Sequence, residues 1–394
     1  MNVILFDDPV TRVHLLPLTF TRPVAGIRIG TLTIAEKWQK WLGESVSFAT
    51  LPYLAKKFPA QITADNYWIN GALCPDRSLV ENIRSLKPGE GIRSGGQLLA
   101  MRNAEAEPPA HTNNAKDYPQ PVTFIDHVWK IFQRNGEQIR ADFALLTQGR
   151  TTAGIGDKHT VVYNPGQVFV EEGVITKAAI LNAETGPIYL GRNAQVQEGA
   201  VIRGPFSLGE ESVINMGGKM RGDTTIGPYC KVGGEISNAV IFGYSNKGHD
   251  GFLGNSVLGE WCNLGADTNT SNLKNNYDHV KLWSYATEEF IDTGAQFCGL
   301  IMGDHSKSGI NTMFNTGTVV GVSANIFGAG YPRNFIPSFS WGGPGGLTTY
   351  QINKALDTAE RMASRRNVPL TDIDKEILHH IFNVTASYRE REKR

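Results

Sequence analysis

The stretch Leu190-Gly191-Arg192-Asn193-Ala194-Gln195-Val196 opens a run in which an aliphatic residue returns every six positions: Leu190, Val196, Ile202, Leu208, Ile214, Met220, Ile226 and Val232. Glycine follows directly at Gly191, Gly209, Gly227 and Gly233. A helix repeats near 3.6 residues and a strand near 2, so neither alone sustains a period of six over 43 residues. Three hexapeptides make one triangular coil of a β-solenoid. The aliphatic residue of each points into the prism, and small residues turn the corners. A prism with an open end and a flat face suits self-association and a substrate held between subunits.

Outward from this run, the solenoid is expected from near Tyr163 to about Phe327. After Val232 the register slips, since Leu258-Gly259 and Leu264-Gly265 are again six apart but out of phase. The slip reads as an insertion that leaves the prism, with His249 inside it, and such loops are where sites are commonly built. The Gly-Pro-rich stretch Trp341 to Gly346 closes the region. Two helices are expected, over 349–366 and 371–388, and Thr371 to Asp374 has capping-box spacing. Residues 1–150 lack the period of six. Val3 to Phe6 and Tyr67 to Gly71 read as strands, and Thr31 to Trp41 and Asp126 to Leu146 as helices, which suggests an α/β layer. Ala104 to Pro121 reads as a surface excursion. The expected division is 1–150, 155–340 and 347–390.

The chain has 394 residues, with Lys+Arg and Asp+Glu both 38. A neutral, glycine-rich chain argues against a nucleic-acid partner attracted by bulk charge. No apolar run reaches 18 residues and the N-terminus lacks a basic, cleavable leader, so the expectation is a cytoplasmic protein with no membrane partner. Cys74, Cys230, Cys262 and Cys298 form no CxxC and read as reduced, two or three of them filling the solenoid. No cluster has metal-ligand spacing, so no structural metal is expected.

Among titratable residues, His249 lies between Gly248 and Gly251, which leave room for a substrate. Histidine is the side chain suited to general-base work near neutrality; His279 and His305 are rivals. Lys219 and Arg221 alternate, so an extended backbone puts both on one face, where paired cations hold a phosphate by charge and by the guanidinium fork.

Several segments resemble the bifunctional enzymes that make UDP-N-acetylglucosamine. Gly248-His249-Asp250-Gly251-Phe252-Leu253-Gly254 is similar to that family's Gly-His-x-x-Tyr-x-Gly, and Asn263-Leu264-Gly265-Ala266-Asp267-Thr268 to its Asn-Ile-Gly-Ala-Gly-Thr. The resemblance implies a left-handed parallel β-helix that uses acetyl-CoA to acetylate an amino-sugar 1-phosphate, best guessed as glucosamine-1-phosphate. It implies catalysis by His249, with Glu235 orienting the ring, and substrate contacts from Lys219, Arg221, Phe252 and Asn272; Lys281 is a further candidate for the sugar phosphate. Arg333 would meet the CoA phosphates. Phe252 stands where Tyr is usual, Ser237 where Lys is usual, and Leu273 follows Asn272 in place of Tyr. Upstream, Leu16-Pro17-Leu18-Thr19-Phe20-Thr21-Arg22-Pro23 resembles a segment of sugar-phosphate nucleotidyltransferases, which implies nucleotide contacts from Arg12, Thr19 and Arg22, with UTP or dTTP and with Mg²⁺ only if nucleotidyl transfer is active. The usual glycine-rich phosphate loop is replaced by Phe6-Asp7-Asp8-Pro9-Val10. The family's small-molecule substrates, its homotrimer and its place in nucleotide-sugar supply for the cell envelope are expectations of the same kind. Two alternatives stay open: an enzyme of the glucose-1-phosphate thymidylyltransferase type, and a nucleotide-sugar-sensing scaffold with an inactive N-terminal domain.

Overall fold

The structure, a computed structural model, describes residues 1–108 and 114–392. Part of the expected 104–121 excursion therefore lies outside the described residues. Two compact units emerge, Met1–Ile27 with Leu32–His127, and Arg28–Thr31 with Val128–Arg394.

In the first unit, Val3–Phe6 is a fully buried strand paired in parallel with Val46–Ala49 on one side and Asn66–Asn70 on the other. Strands Gln97–Asn103, Gly91–Ser94 and Ala115–Asp117 extend the sheet to six. The helix expected over Thr31 to Trp41 runs Ile34–Leu42, opened by a Thr33–Glu36 capping box and closed by Gly43 in the left-handed region. Trp38 anchors it, its indole N–H donating to the Leu73 carbonyl at 2.9 Å.

The second unit is a left-handed parallel β-helix, in line with the hexapeptide register. Short strands stack into three parallel faces. The first face begins at Val161–Tyr163, the second at Val168–Val170 and the third at Ile175–Thr176. Leu190, Val196, Ile202, Leu208, Ile214, Met220, Ile226 and Val232 all point inward and share one core, which also holds Cys230 and Cys262. All four cysteines are buried, and none of them forms a disulfide. The long helix Val128–Thr147 belongs to this unit. Its Asn135 side chain donates to the Asp223 carbonyl at 2.8 Å and to the Thr225 hydroxyl at 3.0 Å.

Two expectations are corrected. The register slip after Val232 is not an insertion. Coils above it pair at intervals of 18 residues, as in Val213 with Lys231, whereas Lys231 pairs with Asn246 and Asn263 follows at 17. The coil from Lys231 to Asn246 is the shorter because the third-face strand Lys231–Val232 turns directly through Gly233-Gly234 into Glu235–Ser237. Gly234 allows that turn with φ of +66°, and an added Cβ would meet the His249 carbonyl at 2.8 Å. His249 therefore occupies a corner of the prism, between strands Asn246–Lys247 and Phe252–Gly254. The chain does leave the prism between Thr270 and Leu300, in a segment containing the antiparallel hairpin Lys281–Ser284 and Glu289–Asp292. The solenoid also runs past Phe327, with Phe335–Ile336 pairing on Val319–Val320 and Ser340–Gly343 extending the third face.

The C-terminal helices span Ile352–Ser364 and Asp372–Val384, the latter opened by the Thr371–Asp374 capping box, with Ala386–Glu392 following. Among the described residues, no helix is long and apolar enough to cross a membrane.

Candidate functional site

Coil-to-coil pairing brings residues distant in sequence into columns. On the first face, Met220, Ile236 and Leu253 point inward, so their neighbours Lys219, Glu235 and Phe252 form an outward column in direct register. Arg221 lies beside it, and its guanidinium contacts the Glu235 carboxylate at 3.2 Å. Both groups are substantially exposed, so this ion pair contributes little to stability. The structure thus gives Glu235 to Arg221 and shows no bond from it to the His249 ring. An added Cβ at Gly254 would strike both the Phe252 ring and the Asn272 amide, so those two groups meet there. Asn272 donates to the Asn255 side chain at 2.7 Å.

His249 is exposed at the corner that leads onto this column. Gly251 is required just after it: φ is +113°, and a Cβ would lie 2.2 Å from the Thr268 carbonyl. Of the two rivals, His279 lies on the segment outside the prism, 3.6 Å from Asp292, and His305 stacks on Trp261 at 6.3 Å. Lys281 and Arg333 sit together with Lys274 and Tyr331 in a separate cavity that His249 does not line.

Two features escaped the sequence reading. The first is Lys247. It pairs with Val232 on a column that otherwise fills the prism and is 1 % exposed. Its ammonium donates to the His249 carbonyl at 2.8 Å and to the Gly233 carbonyl at 3.4 Å, tying together the two tight corners. The second is a cavity of about 740 Å³ between the third face and the helix Ile352–Ser364, with His249 among its lining residues. Lys231, Asn246, Asn263 and Lys307 form its floor as successive members of one outward column. Arg361, Arg365 and Arg366 line the opposite side.

In the first unit, the residues expected to meet a nucleotide are internal. Arg12, at 4 % exposure, contacts Asp7 at 2.7 Å and donates to the Arg22 and Thr19 carbonyls and the Tyr53 hydroxyl. Thr19 donates to the Arg12 carbonyl and Arg22 to the Leu18 carbonyl. Asp7 also accepts from Thr50 and from the Val24 amide. Burial pushes its carboxyl above the usual carboxylate range, against the opposing pull of Arg12 and these donors. Asp8 caps the short helix Pro9–His14, accepting from the Val10 and Thr11 amides. Those amides are the ones a phosphate would need at this helix start.

Residues 3–151 match the sugar nucleotidyl transferase family. The chain is 36% identical over 154 residues to the uncharacterized acetyltransferase YaiX of Escherichia coli, a match covering 39% of this chain and 66% of that one. It is 33% identical over 92 residues to the bifunctional protein GlmU of Methanococcus aeolicus, covering 23% of this chain and 22% of that one. The matches thus span about two thirds of one relative and about a fifth of the other. A solved structure of Arabidopsis UDP-N-acetylglucosamine acyltransferase aligns over 61% of this chain and 95% of its own, at 14% identity and a TM-score of 0.26.

Lys247 supplies a test of this geometry through pH. Burial lowers its ammonium from the ordinary 10.5 to about 8. Below pH 8 the lysine is charged in both folded and unfolded chains, and folding bears the full desolvation cost. Between pH 8 and 10.5 the unfolded chain holds more protons, so stability rises with pH. The melting midpoint of the native protein, measured against Lys247→Met, is expected to rise between pH 7 and pH 10. Lys307, also lowered to about 8, is common to both proteins and cancels. A difference that stays flat across this range would show that Lys247 is not held charged in the prism.

Proposed function

We propose that the solenoid transfers an acetyl group from acetyl-CoA to the amine of an amino-sugar 1-phosphate, with glucosamine-1-phosphate the leading acceptor. The observation that carries this reading is the placement of His249 at a corner between two surfaces of different character. On one side stands the column of Lys219, Glu235 and Phe252 with Arg221 beside it; on the other opens the cation-lined cavity. In the reaction the amine nitrogen attacks the thioester carbonyl carbon. The new C–N bond forms, the C–S bond breaks, and the CoA sulfur departs as a thiolate that takes up the proton the amine loses. His249 first takes that proton from the amine. Lys219 and Arg221 hold the sugar phosphate, and Phe252 with Asn272 borders the sugar. The similarity to YaiX and GlmU supports the reaction class; glucosamine-1-phosphate is what the resemblance to GlmU-type enzymes implies, and the paired cations offer a place for its phosphate.

The chain works, on this reading, as a homotrimer. Val161, Ile180 and Val201 form an exposed apolar column on the first face, in line with Lys219 and Glu235. Light scattering should return three chains per particle, and an active monomer would refute this.

The first unit, by contrast, is unsuited to rapid nucleotidyl transfer. Asp7 and Asp8 face Arg12, Thr50 and backbone amides, so neither carboxylate is set to hold Mg²⁺, and the amides that would cradle a triphosphate are capped. Pyrophosphate release from UTP or dTTP with a sugar 1-phosphate should be slow or absent; brisk Mg²⁺-dependent release would overturn this view of the unit.

His249→Ala should leave the fold intact, since the side chain is exposed. Acetyl transfer should fall by about 10²–10⁴-fold, mainly in kcat, because a base acts in the transition state. Lys219→Ala should mainly raise KM for the sugar phosphate. Wild-type rates from His249→Ala would place the base elsewhere.

A further inference from the structure

Five cations line the cavity beside His249: Lys231 and Lys307 on the third face, and Arg361, Arg365 and Arg366 at the C-terminal helix. Among the described residues, no carboxylate forms an ion pair with any of them. Glu360, the acidic neighbour of Arg361, is turned to Lys375 at 3.6 Å. Arg366 donates instead to the Asn246 side-chain oxygen at 2.9 Å. In a chain whose positive and negative residues balance at 38 each, such a concentration is a local choice. Like charges around a concave, partly dry surface repel one another, and a bound polyanion relieves that repulsion.

The spacing says what kind of anion. Lys231, Asn246, Asn263 and Lys307 are neighbours on one column, so the two lysines stand three strand steps apart, roughly 14 Å. A span of that length, with three arginines facing it, offers room for more than one phosphoryl group. Arg361, in the last turn of the helix, and Arg365, its C-cap residue, are four residues apart and present two guanidinium forks to the same cavity. The asparagines between the lysines add amide donors and acceptors but no charge.

We propose that this cavity binds the phosphoryl groups of a coenzyme A thioester, with Lys231 and Lys307 below and Arg361, Arg365 and Arg366 above. Coenzyme A carries a diphosphate and a separate 3′-phosphate, whereas a sugar 1-phosphate carries a single group. The thioester end then reaches the His249 rim, and the acceptor approaches from the Lys219 column. The assignment rests on the acetyl-transfer reading. It places the coenzyme phosphates on the C-terminal helix and not at Arg333, which lines a different cavity.

Calorimetric titration of the intact protein, in low-salt buffer free of phosphate, tests this with coenzyme A, 3′-dephospho-coenzyme A and glucosamine-1-phosphate. Arg361 and Arg365 are exposed, so Arg361→Ala with Arg365→Ala should melt like the native protein. Lys231→Gln, at an exposed strand position, provides a second variant should the double one misfold. The double variant is expected to bind coenzyme A about 10- to 100-fold more weakly, with sugar-phosphate binding unchanged. The native protein should prefer coenzyme A to its 3′-dephospho form. Unchanged coenzyme A affinity in both variants would overturn the proposal, and so would loss of sugar-phosphate binding alone. Coenzyme A binding that depends on these cations, in a protein that transfers no acetyl group, would uphold the site and remove only the reaction.

Discussion

The stacking of inward side chains from coil to coil is the constraint on which the second unit depends. Each short strand is too brief to bury a surface alone, and its backbone hydrogen bonds run to the coils on either side. Burying an aliphatic side chain contributes about 1.5–3 kcal/mol, and that gain exists only while the columns stay in register. Register in turn decides which outward residues are neighbours. Lys219 and Glu235, or Lys231 and Asn246, meet because Met220 lies over Ile236 and Val232 over Lys247. The core therefore sets the chemistry of the surface.

Lys247 marks where this rule bends. A charged group in an apolar column costs desolvation, which is why its ammonium is lowered to about 8. The compensation is local. Shortening the coil at Gly233-Gly234 brings two tight corners close together, and their carbonyls need donors. A valine or leucine at this position offers none; the lysine supplies hydrogen bonds to both Gly233 and His249. The same contraction that disturbs the repeat thus fixes the backbone of the candidate base.

The period of six was legible because it is a core property, repeated at every coil and insensitive to what the surface does. The capping box at Thr371 was legible for a similar reason, since it is complete within four residues. The slip after Val232 was misread as an insertion because sequence shows only a change of phase. A deletion of residues at one corner and an excursion at another shift the phase alike, and only the pairing of Lys231 with Asn246 separates them. Arg361 and Arg365 were missed because their relevance depends on packing: a helix carrying arginines reads as a solvated surface until it lies over a face that carries Lys231 and Lys307. The inward position of Lys247 follows from the repeat once the shortened coil is known, and not before.

The two units show opposite ways of treating a phosphate-binding possibility. In the first, the place after a parallel strand, opening a helix, offers backbone amides suited to an anion. Asp8 occupies those amides itself, and Asp7 pairs with the Arg12 guanidinium, so the anion is already part of the chain. In the second, cations converge on a cavity whose lining, among the described residues, includes no carboxylate. The first arrangement answers its charges within the chain; on the proposed reading the second leaves the answering charge to a ligand. Since the formal charges of the whole chain sum to zero, composition is silent on this difference. It is carried by whether an acidic side chain sits within a few ångströms of each base, which is decided by the corners of the solenoid and the first turn of a six-residue helix.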